Sequence, residues 1–279
     1  MVWDWTFVVV RDAIALYSVL GFLSVRFALA QPDMRYYAAR KVTRRTFVAG
    51  TSIGLVLALG YLLQTTGLLF TTPTNSGLIT GLFVVFAPLV DRLFFGTRIS
   101  RPVLVAVLLS LLGMVLLAGG GPEGVNRGDL LTLLCAGALG LHIAFLSRYA
   151  RAHDASALAF VQMLSMALAF GLLWPLFEPV ALPPHEVWHS LVVMGLVASA
   201  GAFWVQTFVQ QRISAARTAV ILTTEPVFAA LFGYWIAGDR LVLVQIFGAA
   251  LIFSALVASE MVLVVVHTNK LNEKGDVLR

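Results

Sequence analysis

Apolar stretches about as long as a bilayer is thick recur along the whole chain, separated by short polar connections. A helix needs roughly 20 largely apolar residues to cross a hydrocarbon core about 30 Å thick. Runs of that kind cover residues 47–69, 75–95, 102–118, 129–149, 156–177, 187–208, 216–237 and 242–266. A shorter ninth run covers 13–30 and is interrupted by Arg26. Before it lies 3–10, apolar but closed by Arg11-Asp12. At 1.5 Å per residue that piece reaches only about 12–15 Å, half a bilayer. Lipid offers no partners to backbone N–H and C=O groups, so runs of this length span as helices.

Composition supports the same reading. Of 279 residues, 59% are apolar and 12% charged, against about half and about a quarter in soluble domains. That excludes a disordered chain and an ordinary soluble enzyme, whose core would need a polar shell these residues do not supply. The single cysteine, Cys135, allows no disulfide within the chain. No signal peptide is expected, because no basic segment followed by a short apolar core and a cleavage site opens the sequence.

The net charge of +5 would suggest nucleic acid in a soluble protein; here its distribution sets topology. Arg35, Arg40, Lys41, Arg44 and Arg45 follow the ninth run. Skipping one connection each time gives Arg92/Arg98/Arg101, then Arg148/Arg151, Arg212/Arg217 and Lys270/Lys274/Arg279. These five segments hold 15 of the 19 Lys and Arg, whereas the alternate connections hold only Arg11, Arg127 and Arg240. The positive-inside rule places the rich set, and with it the C-terminus, in the cytoplasm. A multi-pass protein of the cytoplasmic (inner) membrane is expected.

Shifting the sequence on itself by 142 residues aligns Gln64-Thr65 with Gln206-Thr207. It also aligns Val85-Phe86-Ala87 with Val227-Phe228-Ala229, and Gly96-x-Arg98 with Gly238-x-Arg240. The last pair falls in a cytoplasmic and an external connection, so the two halves have opposite orientation. A repeat of five helices must invert. Inverted repeats are characteristic of secondary transporters, whose solute site lies between the halves near the midplane.

The chain resembles the drug/metabolite transporter superfamily, in particular the EamA-type permeases. The matching residues are Trp5 through Asp12, Arg26-Phe27, Gln64-Thr65, Gly96, Gln162, Thr224 through Ala230, and the turn Gly238-Asp239-Arg240-Leu241. The resemblance implies an all-α integral membrane protein, a ten-helix bundle of two inverted five-helix repeats. The first repeat is expected over 1–120, the second over 129–266, and a cytoplasmic tail over 267–279. Met1 stands two residues before Trp3, whereas the family's first helix begins well before that motif. The first helix is therefore expected to be truncated as written, with the natural start upstream.

Several polar residues stand inside expected spans. Glu225 lies about eight residues inside Arg217, roughly 12 Å along a helix and so near the midplane. A carboxylate there costs at least ~2.5 kcal/mol on insertion scales. It is a candidate for proton coupling or for binding a solute amine, or else a hydrogen-bonded structural residue beside the kink of Pro226. Gln64 and Gln206 are related by the repeat. They sit in the helical stripes Leu57/Tyr61/Gln64/Leu68 and Ser199/Phe203/Gln206/Gln210. Such stripes suit either a cavity wall or interhelical hydrogen bonds. His142 is mid-span and reads as a satisfied core histidine or a titrating group. Arg26 reads as a side chain snorkelling to the interface or as an anion or gating site. The candidate cavity lining is thus Trp5 (through the resemblance), Tyr61, Gln64, His142, Phe203, Gln206 and Glu225.

Two motifs point elsewhere. His185-Glu186-Val187-Trp188-His189 matches the H-E-x-x-H zinc pattern, but it follows Pro183-Pro184 at an external helix start with no third ligand evident. Gly119-x-Gly121-x-x-Gly124 matches the dinucleotide fingerprint, but no strand precedes it. The expectation is a non-enzymatic permease or exporter of small metabolites or drug-like solutes working by alternating access. The alternatives are an intramembrane zinc hydrolase using His185-Glu186-x-x-His189 and a non-transporting membrane interaction or sensory protein. No cofactor, metal or nucleic acid is called for. The expected partners are the lipid bilayer, a small-molecule solute and protons. An aromatic-plus-amide lining suits a bulky neutral or zwitterionic solute better than a polyanion. Gly50-x-x-x-Gly54 and Gly77-x-x-x-Gly81 suit packing within one chain, and leave monomer and homodimer both open.

Overall fold

The computed structural model describes residues 6–31, 38–118, 126–224, 243–244 and 246–255. No strand occurs among them. The helices are α1 Thr6–Leu16, α2 Val19–Leu29, α3 Arg44–Gly67, α4 Pro73–Thr80, α5 Phe83–Phe95 and α6 Arg101–Ala118. They continue with α7 Arg127–Tyr149, α8 Ala155–Phe177, α9 His185–Gly195, α10 Ala202–Gln210 and α11 Ala215–Leu222. A further helix, α12, covers Ile246–Ala255. The spans Arg44–Gly67, Arg127–Ala152, Ala155–Phe177 and His185–Gln210 are each long and apolar enough to cross a membrane. They coincide with the runs read at 47–69, 129–149, 156–177 and 187–208.

Polar caps start these apolar helices where the chain enters them. Thr43 accepts from the Thr46 N–H at the start of α3, and Ser214 from the Arg217 N–H at the start of α11. Asn126 and Asp129 form a reciprocal capping box on α7. Asp154 caps α8 and binds Lys41 at 3.0 Å, tying the connection before α3 to the one before α8. Partial burial pushes its carboxyl up. Bonds from the Ala157 N–H and from Lys41 outweigh that and hold it below the usual carboxylate range. Gly96, at φ 64°, closes α5 in the left-handed conformation that glycine adopts without strain.

The structure corrects three boundaries. Arg11-Asp12 does not end a segment: α1 runs through both residues, which are exposed, and stops before Tyr17-Ser18. Charges on an exposed helix face leave the backbone bonds intact, whereas the Ser18 hydroxyl caps the next helix by accepting from the Gly21 N–H. The run at 75–95 is two helices with a break at Gly81-Leu82. There the chain tightens, with bonds from the Leu82, Val84 and Val85 N–H groups to the third residue back. Pro88 leaves the Val84 carbonyl without its helical donor. The run at 187–208 contains a π-helical stretch, Leu196–Gly201.

The shift of 142 residues reappears in the backbone. Helices α4 and α11 have eight residues each, and Pro73–Thr80 maps onto Ala215–Leu222 with no offset. The bond from the Leu82 N–H to the Ile79 carbonyl has its counterpart from Thr224 to Ile221. Gly238-x-Arg240 lies outside the described residues.

Several polar groups are buried among the apolar core, and many large apolar side chains face outward. Gln162, Gln210, Thr132 and Thr207 are fully buried, whereas Leu93, Leu172, Leu176 and Phe177 are mostly exposed, as lipid-facing side chains are. Helix α3 lies against both α7 and α8. A Cβ added to Gly54 would sit 2.7 Å from the Gln162 carbonyl oxygen and 2.9 Å from its Cα; one on Gly50 would meet Val161 at 2.7 Å. The Gly50-x-x-x-Gly54 stripe is therefore spent on packing within the chain. Gly54→Ala should lower stability by about 1–3 kcal/mol, the usual effect of overpacking. Gly137→Ala, where a Cβ meets nothing within 4 Å, should leave it unchanged or slightly raised. Thermal unfolding in detergent measures both.

Candidate functional site

A cavity opens where α1, α2, α3, α4, α7 and α10 converge. Its wall on α3 is the stripe Leu57, Tyr61, Gln64 and Leu68. Opposite lie Phe203 and Gln206 of α10, which the 142-residue shift relates to Tyr61 and Gln64. The rings of Tyr61 and Phe203 meet edge-on at 6.0 Å. The break between α4 and α5 contributes Thr80 and Phe83, and the end of α11 contributes Leu222. The break after α4 and the end of α11 thus border the same space.

Helix α7 supplies Cys135, Leu139 and His142 at i, i+4 and i+7, one continuous face. His142 is 1% exposed, and its Nε2 lies 3.0 Å from Gln162 Oε1. Gln162 donates to the Leu158 carbonyl at 3.3 Å and to the Thr207 hydroxyl at 3.4 Å. His142 is both hydrogen-bonded in the core and part of the cavity wall. Gln64 donates to the Thr80 hydroxyl at 3.1 Å, bridging α3 to the broken helix. Gln206 donates to Gln210 Oε1, and Gln210 donates to Ser147 Oγ and the Ile143 carbonyl.

Arg26 is 2% exposed and does not snorkel, which overturns that reading. Its Nε donates to Ser199 Oγ at 2.9 Å, and its guanidinium carbon lies 4.8 Å from the centre of the Tyr61 ring. The reason is local packing. Ser199 lies in the π-helical stretch, and Gly195 just before it lets α9 approach the Arg26 carbonyl, to 2.9 Å from where a Cβ would stand. A guanidinium supplied with an acceptor and an aromatic face is held inside rather than drawn to the interface.

Six of the residues singled out by sequence, Arg26, Tyr61, Gln64, His142, Phe203 and Gln206, line this one cavity. Trp5 and Glu225 lie outside the described residues. Sequence reasoning missed Cys135, Thr80 and Phe83. The signal for Cys135 was its helical phase with His142; nothing local announced the break that brings Thr80 and Phe83 in. Among the described residues no three His, Cys, Asp or Glu side chains assemble as a metal site requires, the His185-Glu186-x-x-His189 stretch included.

A family model of EamA-like transporters matches residues 126–260. An uncharacterized transporter of Archaeoglobus fulgidus is 33% identical over 265 residues, 92% of this chain and 82% of the relative. The chain belongs to the EamA-like transporter family. A crystal structure superposes with a TM-score of 0.72 at 18% identity, covering 93% of this chain and 95% of that one, so the fold likeness runs the full length. This EamA-like transporter is a multi-pass, all-α membrane protein of the drug/metabolite transporter type. Ser199 is the buried acceptor that holds Arg26 at the cavity wall. Ser199→Ala should destabilise the protein by about 1–3 kcal/mol by leaving a buried donor unmet. Ser254→Ala, an exposed hydroxyl bonded to its own helix, should be nearly silent. Unfolding midpoints of the two variants check this.

Proposed function

We propose that this EamA-like transporter is a secondary permease that moves small metabolites or drug-like solutes through the cavity by alternating access. The observation that carries the reading is the cavity's lining. Tyr61 with Phe203, and Gln64 with Gln206, are equivalent pairs from two halves of one repeat, and they face one space. An exchange of roles between two such halves presents the same groups to either side of the membrane in turn. On this reading the halves are 1–120 and 129–266, the tail 267–279 is cytoplasmic, and the membrane is the cytoplasmic one. Tyr61, Gln64, His142, Phe203 and Gln206 bind solute, joined by Trp5.

Coupling to protons runs through Glu225. It would follow directly on the turn Thr223-Thr224 that ends α11, the counterpart of Phe83 on the cavity wall. A carboxylate at that depth gains from protonation, because the charged form is the costly one in lipid. Solute flux into proteoliposomes, with and without an imposed pH gradient, tests both claims. A labelled amino-acid and metabolite panel should include a solute driven by the gradient, and Glu225→Gln should abolish the gradient's effect. Flux indifferent to gradient and variant would remove coupling and leave a facilitator. No flux of any solute through folded protein would contradict the transport reading.

A further inference from the structure

We infer that the cavity takes a solute bearing a single carboxylate on an apolar or aromatic body, and that Arg26 is the group that binds the carboxylate. The inference rests on the transport reading and narrows it to a substrate class. It begins with a buried charge. Arg26 is 98% buried yet borders the cavity. Of its five N–H donors, one meets Ser199 at 2.9 Å and one points to the Tyr61 hydroxyl at 3.5 Å, too long to be a strong bond. Among the described residues no carboxylate stands within ion-pair distance of it. The described cavity wall carries no Asp or Glu at all.

A buried cation of this kind is costly unless an anion completes it. The held geometry suits that anion. Ser199 fixes Nε and the Tyr61 ring supports one face of the guanidinium, so the plane is set while the outer donors stay available. Two parallel N–H groups of a fixed guanidinium match the two oxygens of one carboxylate. With Glu225 protonated, as the coupling reading requires, one positive charge balances one carboxylate, whereas a phosphate dianion would leave a buried excess of negative charge. On the remaining described wall, Phe7, Phe83, Phe203 and Leu139 offer apolar surface, and Gln64 and Gln206 offer amides. That composition suits an uncharged body behind the carboxylate.

Equilibrium binding to the full chain in lipid nanodiscs tests the class with defined probes. Calorimetric titration near neutral pH compares 3-phenylpropanoate, octanoate and acetate with 3-phenylpropanamide and phenyl phosphate. At least one of the first two acids should bind about tenfold or more tightly than the amide, as charge-assisted bonds imply. The preference should vanish in Arg26→Gln and persist in part in Arg26→Lys. Equal affinity for 3-phenylpropanoate and its amide, tighter binding of phenyl phosphate, no binding of any carboxylate, or a preference unchanged in Arg26→Gln would each overturn the inference. If Arg26→Gln fails to fold, the wild-type comparison of acid with amide decides alone. Robust flux of neutral solutes with no acid preference would remove this inference and leave the transport reading standing. Acid binding without flux would do the reverse.

Discussion

In lipid, leucine against leucine gains little over leucine against an acyl chain, so helices must be held by close fit and by buried polar contacts. The fit in this chain centres on α3. Its glycines let it lie so near α8 that a methyl group at Gly54 would collide with the Gln162 backbone. Gly67 meets α7 in the same way: a Cβ on Gly128 would stand 2.5 Å from the Gly67 carbonyl. With α3 pinned along two neighbours, its remaining face, Leu57 through Leu68, is left to form a wall. The cavity is what the packing of α3 leaves unfilled.

The opposite wall is built by departures from regular helix. The π-helical stretch at Leu196–Gly201 sits where α3, its repeat counterpart, is continuous. That local difference places Ser199 against Arg26 while Phe203 still faces Tyr61. The break after Thr80 and the end of α11 at Leu222 stand at equivalent positions of the repeat. A discontinuous helix at membrane depth is tolerated where it borders a cavity, because polar groups there find partners other than lipid. Arg26, His142 and the glutamines thus belong to one polar interior, and the apolar exterior faces the bilayer.

Much of this was legible in the sequence. Length and apolarity alone located α3, α7 and α8 to within three residues at each end, since a continuous apolar run of about 20 residues crosses lipid as a helix and not as a barrel strand. The stripe Leu57/Tyr61/Gln64/Leu68 could be read as one wall because its period is that of the helix. The break at Gly81-Leu82 was not legible, because its tight turns are made by backbone groups that apolar side chains do not advertise. The π-helical stretch escaped for the same reason. For Arg26 the sequence leaves a snorkelling side chain and an anion or gating site both open, because the groups that hold it inside, Ser199 and Tyr61, lie on two other segments. The boundary at Arg11-Asp12 failed because charge was taken as a stop signal, when the stop is the Ser18 cap.

The central claim is that the cavity between the repeat halves is a route across the membrane and not a closed pocket. Access to it from each face tests that claim most directly. With Gln64→Cys in a Cys135→Ser background, sealed vesicles of known orientation would be exposed to a membrane-impermeant thiol reagent on one face at a time. The account predicts reaction from the outer face and from the inner face, each blocked by saturating transported solute. Reaction from one face only, under every solute and pH condition, would contradict it.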